Sequence, residues 1–123
     1  MKGMEKKGNL YSELKKLAEK ANKNPLFRDK VASWDRIIQL CITNGDEENW
    51  TIEIKDGRMK IIKEQVSNPH ITVKTNLEDF KNIIYGSLKP SKAFLTGRLK
   101  ADGTIPDLLK LNTIFKTLFS ANK

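Results

Sequence analysis

Asp56-Gly57 stands between two runs of alternating apolar residues, Trp50, Ile52 and Ile54 before it and Met59 and Ile61 after it. A two-residue hairpin turn needs positive φ at its centre, which Asp tolerates and Gly adopts freely. The turn then fixes a register. Lys55 faces Arg58, Ile54 faces Met59, Glu53 faces Lys60, and Ile52 faces Ile61. One face becomes continuously apolar, and the other gains a Glu53–Lys60 pair worth a few tenths of a kcal/mol. A slip of one residue would mix the two faces. The chain must therefore build a sheet with one oily side, and other elements must cover that side.

The flanking sequence supplies them. Residues 1–8 read as a flexible lead-in. Asn9 to Ala21 reads as an amphipathic helix, with Leu10, Leu14, Leu17, Ala18 and Ala21 on one side and lysines on the other. Asn9 or Ser12 is placed to cap it. Asn22-Lys23-Asn24-Pro25 ends it, because proline disfavours helix in the residue before it. Leu26, Phe27 and Val31 suggest a short second helix or turn. From Arg36 the period changes to two, with Ile38, Leu40 and Ile42 on one face and Ile37, Gln39, Cys41 and Thr43 on the other. Asn44 to Asn49 reads as a polar loop.

Asn68-Pro69 breaks the chain, and Ile71 and Val73 mark a fourth strand beginning at His70, a solvated strand-end residue. Asn76-Leu77-Glu78-Asp79 resembles a capping box and opens a helix that ends at Gly86. Pro90 can start a further short helix and Gly97 can stop it. Leu99 then lies inward on a fifth strand between Arg98 and Lys100, and Asp102-Gly103 turns the chain into a last helix, Ile105 to about Phe119. The order gives an α+β domain, 1–123, with helices on one face of a mainly antiparallel sheet.

That last helix is apolar over too wide an arc. Ile105, Leu108, Leu109, Leu111, Ile114, Phe115, Leu118 and Phe119 span roughly 220° at about 100° per residue. Packing on one sheet needs a stripe of only about 100° or somewhat more. The surplus has three outlets: a partner chain, an internal space, or deep packing.

Composition limits the chemistry. The single cysteine, Cys41, excludes an internal disulfide, and with the single histidine, His70, it cannot make the usual zinc site. No cofactor or metal is expected. Glycines are scattered at turns, so there is no phosphate-binding loop. Asp46-Glu47-Glu48 reads as a hydrated loop, and Glu78 and Asp79 as first-turn acids favoured by the helix dipole. An enzyme is disfavoured because candidate nucleophiles have only His70 as an imidazole base. Nucleic acid is disfavoured because no aromatic-rich strand offers a stacking surface, and Trp50 is flanked by inward isoleucines; Trp34 has no assigned role.

The net charge is +8. Residues 1–30 hold nine Lys/Arg against four acids, and the remainder fourteen against eleven. The basic excess is thus concentrated in the first helix, where it can attract an anionic membrane, the phosphates of an acyl-coenzyme A or nucleic acid. The default reading of that face is a solvated one. No stretch approaches the ~20 apolar residues of a membrane span, and no signal segment is seen, so the expected compartment is the cytoplasm.

One resemblance covers roughly Val31 to Phe119. The ordered segments are Trp50-Thr51-Ile52-Glu53-Ile54-Lys55-Asp56-Gly57, Asn68-Pro69-His70-Ile71-Thr72-Val73, Leu77-Glu78-Asp79-Phe80, Gly86-Ser87-Leu88-Lys89-Pro90, and Ala93-Phe94-Leu95-Thr96-Gly97-Arg98-Leu99-Lys100-Ala101-Asp102-Gly103. Together they resemble the sterol carrier protein type 2 domain. The sequence departs from that pattern at His70, Leu95, Arg98, Ala101 and Thr104, where Ala101 is smaller than the usual branched residue.

The resemblance implies a five-stranded sheet, covering helices, and an apolar tunnel between them. It implies non-covalent binding of a fatty acid, fatty acyl-coenzyme A or sterol by an intracellular carrier. The candidate lining is Phe80, Ile84, Phe94, Leu99, Leu108, Leu111, Phe115 and Phe119. The alternative is an interaction module of the same fold that forms a homodimer or docks on a partner enzyme.

Overall fold

A computed structural model describes the backbone of residues 2–44 and 46–119 and the side chains of 10–43 and 48–119. The expectation for residues 1–8 thus falls largely outside the described side chains. The elements run α1 (Lys2–Lys23), α2 (Pro25–Lys30), β1 (Arg36–Asn44), β2 (Asp46–Lys55), β3 (Arg58–Ile62), β4 (Ile71–Asn76), α3 (Leu77–Ile84), α4 (Pro90–Leu95), β5 (Leu99–Asp102) and α5 (Ile105–Phe119). The sheet order is β3-β2-β1-β4-β5. β1–β2, β2–β3 and β4–β5 pair antiparallel, while β1–β4 is parallel, so the sheet is mixed but mainly antiparallel.

The hairpin has the register its turn demands, with Lys55 opposite Arg58, Ile54 opposite Met59, Glu53 opposite Lys60 and Ile52 opposite Ile61. Asp56 and Gly57 both have positive φ, 55° and 75°. The same pleat aligns Ile38, Ile52, Ile71, Leu40, Trp50 and Val73 on one buried face. The core lies between this face and the helices, with Leu14, Phe27, Val31 and Ile114 wholly enclosed.

Two expectations need correcting. The first helix starts at Lys2, so positions 9 and 12 lie inside it and are not its caps. Residues 46–49 are strand and not loop, because backbone pairing extends the β1–β2 hairpin to Asn44 opposite Asp46 whatever the side-chain polarity. The second face of the sheet is covered as well: Gln39, Cys41 and Thr51 are buried there. The chain from β3 to β4 crosses that face to reach the far side of β1. Gln39 Nε2 donates to the Trp50 carbonyl at 3.0 Å, and its Oε1 accepts from the Val66 N–H at 2.9 Å. The Thr51 hydroxyl donates to the Glu64 carbonyl.

The sheet's end strands are also managed. Asn22 at the end of α1 donates to the Met59 carbonyl at 3.0 Å and accepts the Met59 N–H at 2.7 Å, occupying the outer edge of β3. An exposed edge would otherwise invite another strand. His70 is exposed, as expected, but its Nδ1 also accepts the Ile37 N–H at 3.0 Å and fastens the start of β4 to β1.

Candidate functional site

The segment from α3 to α5 is built by local signals. Asn76 caps α3 by accepting the Asp79 N–H at 2.7 Å. Pro90 opens α4. Gly97, at φ 81°, closes it with the Arg98 N–H bonded back to the Ala93 carbonyl at 2.9 Å. The chain therefore leaves α4 at once as β5, with Leu99 turned inward and 6 % exposed. Thr104 Oγ1 accepts the Asp107 N–H at 3.3 Å and starts α5.

Asp107 fixes the base of α5. Its carboxylate accepts from Arg36 Nε at 3.0 and 3.1 Å and from Trp34 Nε1 at 3.2 Å. The Arg36 guanidinium, helped by Trp34, holds this buried carboxyl below its ordinary range against the opposing effect of burial. Sequence reasoning missed this cluster, which also gives Trp34 its role. Thr104-x-x-Asp107 is a local sign of the helix start, but no local sign names Arg36 as the partner.

With its base anchored, α5 packs Leu111, Ile114, Leu118 and Phe119 inward. Of its remaining apolar arc, Leu108 and Phe115 are half-buried against the core, and Ile105 and Leu109 are exposed. A cleft of about 400 Å³ lies between α4, α5 and the β4–β5 end of the sheet. Val73, Leu99 and Ala101 form its floor; Pro90, Ser91, Phe94 and Leu95 form one wall; Ile105, Leu108, Leu109, Leu111, Asn112 and Phe115 form the other. Only Ser91 and Asn112 bring polar side chains. Phe94, Leu95, Ile105 and Leu109 are exposed, so the cleft opens to solvent at their rim.

Of the residues expected from sequence, Phe94, Leu99, Leu108, Leu111 and Phe115 come together in this cleft. Phe80 is buried in the main core. Ile84 and Phe119 line a second, smaller hollow of about 250 Å³ with Glu13, Lys16, Leu17, Lys20 and Tyr85. There the Tyr85 hydroxyl donates to Glu13 at 2.7 Å, and that bond raises the phenol's pKa. The Phe115 and Phe119 rings meet at 5.4 Å between the two hollows. Val73, Ala101, Ile105 and Leu109 were not among the expected lining. Ile105 and Leu109 lay in the overwide arc; Val73 and Ala101 share a register position across β4–β5 that single-strand alternation does not reveal.

A cleft this size is at the lower end of the range for small-molecule sites, which are mostly apolar with a few polar groups. Its lining carries no titratable side chain and no nucleophile–base pair. Among the described residues no cluster of His, Cys, Asp and Glu could hold a metal, and no helix is long and apolar enough to cross a membrane.

An α+β domain with a mixed five-stranded sheet, helices on one face and a hydrocarbon-lined hollow between them offers a site for an apolar ligand. The profile of the SCP-2 sterol transfer family matches residues 14–116, and the chain belongs to that family. It is 34 % identical over 92 residues to the Mus musculus peroxisomal multifunctional enzyme type 2, covering 72 % of this chain but 12 % of that protein. It is 31 % identical over 77 residues to the Caenorhabditis elegans non-specific lipid-transfer protein-like 1, covering 63 % of this chain and 65 % of that one. The solution structure of the sterol carrier protein domain 2 of Helicoverpa armigera superposes with a TM-score of 0.75 at 27 % identity, covering 90 % of this chain and 88 % of that one. The chain thus spans a small part of several curated relatives, 12 % of the Mus musculus enzyme and 23 % of the Xenopus laevis hydroxysteroid dehydrogenase-like protein 2.

Proposed function

We propose that the chain is a non-enzymatic carrier that holds the hydrocarbon part of a fatty acid, fatty acyl-coenzyme A or sterol-like lipid in the cleft between α4, α5 and β5. The observation that carries this is the open volume beneath the surplus apolar arc of α5, lined almost wholly by carbon. Membership of a sterol transfer family supports it. Phe94, Leu99, Leu108, Leu111 and Phe115 would contact the ligand directly. The tunnel expected for the fold would be this cleft closed over by its rim once a chain lies inside.

The mechanism is partition. Burying about fifteen methylenes at ~0.8 kcal/mol each gives roughly 12 kcal/mol gross. Several kcal/mol go to ordering the ligand, which leaves micromolar affinity. Selectivity between neighbouring chain lengths is weak, because one methylene changes so little. Titration with a fluorescent fatty acid tests the proposal: saturable binding that unlabelled fatty acid displaces is the expected result. A folded sample with no saturable binding overturns it. Native mass spectrometry of freshly purified protein would identify a co-purified lipid by its mass.

A further inference from the structure

Seven large apolar side chains are exposed among the described residues, and four of them ring one opening. Phe94 and Leu95 on α4 are 48 % and 82 % exposed, and Ile105 and Leu109 on α5 are 71 % and 63 % exposed. Tyr11, Leu26 and Tyr85 sit elsewhere and are not part of the cleft's lining. Scattered surface hydrophobics are ordinary, but a clustered set marks a contact surface.

The charge around that opening has one sign. Residues 89–116 hold six Lys/Arg and two acids. One of the acids, Asp107, is buried against Arg36. Lys100 alternates with the inward Leu99 and points to the opposite face of the sheet. Lys89, Lys92 and Arg98 are exposed beside α4, and Lys116 is exposed on α5, four residues beyond the lining residue Asn112 and on the same side of the helix as the rim residue Leu109. The exposed acid of this stretch is Asp102, at the far end of β5.

We propose that the rim of the cleft is a membrane-docking surface. Phe94, Leu95, Ile105 and Leu109 enter the headgroup–acyl boundary of an anionic bilayer, and Lys92 and Lys116 meet the lipid phosphates. An apolar tip flanked by lysines is the composition that binds such an interface. The inference rests on the carrier reading, because it gives a hydrocarbon chain a path from bilayer to cleft without crossing water. The first helix, whose basic face was the sequence-based choice for membrane contact, then plays no part in docking.

The test is co-sedimentation of the whole chain with vesicles of equal parts phosphatidylcholine and phosphatidylglycerol. Vesicles of phosphatidylcholine alone serve as the control. Binding to the anionic vesicles should fall with added salt. Lys92→Glu/Lys116→Glu should weaken it roughly tenfold or more. Leu95→Ser/Leu109→Ser should also weaken it, with folding checked by circular dichroism. Lys16→Glu/Lys23→Glu on α1 should leave it unchanged.

Fluorescent fatty acid titrated below its micelle concentration separates the two readings. The charge-reversal pair at Lys92 and Lys116, which does not line the cleft, should keep the wild-type affinity. Loss of vesicle binding in the wild type, with soluble-probe binding intact, overturns docking and spares the carrier. Failure of the wild type to bind the soluble probe overturns the carrier reading instead. Sensitivity to the α1 pair and not the α4–α5 pair moves the membrane contact to the first helix and overturns this proposal. A dimer in light scattering that Leu95→Ser/Leu109→Ser dissociates, with no effect on vesicles, assigns the rim to a second copy of the chain and also overturns it.

Discussion

Ala101→Phe should close the cleft without loosening the fold. Ala101 is half-buried, pairs with Val73 across β4–β5, and forms part of the cleft floor. A phenyl ring grown from its Cβ extends into open volume. It would take the place of roughly five methylenes of ligand, a loss of about 4 kcal/mol, or several hundredfold in Kd. Displacement of a fluorescent fatty acid by a series of chain lengths reads this out. Long chains should lose the most, because short ones still fit beside the ring. Thermal unfolding gives an independent reading. In a filled core the added ring would cost roughly 1–3 kcal/mol and lower Tm by several degrees. In an open cleft Tm should hold or rise. A folded variant with undiminished affinity for long chains would refute the placement of the ligand. A large drop in Tm would refute the existence of usable space.

Other perturbations follow from the same contacts. Asp107→Asn should cost about 2–3 kcal/mol in urea unfolding at neutral pH, since Arg36 then loses its charged partner. Because the folded state holds this carboxyl below its ordinary value of 3.8, its contribution is present above that pH and fades as pH falls through the lower folded value. The stability gap between wild type and variant should therefore narrow in acid, and a gap independent of pH would contradict the pairing. Gly103→Ala places a Cβ 3.0 Å from the His70 carbonyl oxygen and should destabilise by about 1–3 kcal/mol, because backbone must move. Gly97→Ala meets no neighbour but keeps φ near 81°, so its cost should be only about 1 kcal/mol, and denaturant melts of the two should differ accordingly. Gln39→Leu removes the anchor of the β3–β4 crossover and should cost about 1–2 kcal/mol, with faster amide exchange at Val66 as its local signature.

The sequence alone determined what acts over a few residues. Asp56-Gly57 fixed a hairpin register because a turn reaches only its own flanks. Asn76, Pro90 and Gly97 set the ends of α3 and α4 for the same reason, by bonding or shaping backbone within one turn. The surplus apolar arc of α5 announced that the helix would face more than one surface. It left open whether that second surface was a partner, a hollow or deeper packing. Tertiary structure made that decision, because volume between elements depends on where they are pinned. Asp107, held to Arg36 and Trp34 across more than seventy residues of chain, fixes the base of α5. The parallel β1–β4 pairing sends the preceding segment over the second face of the sheet and buries Gln39 and Thr51 there. The same limit explains the division of the expected lining. An apolar stripe shows that Phe80, Ile84 and Phe119 must leave water, and only the packing of α1, α3 and α5 decides which interior receives them.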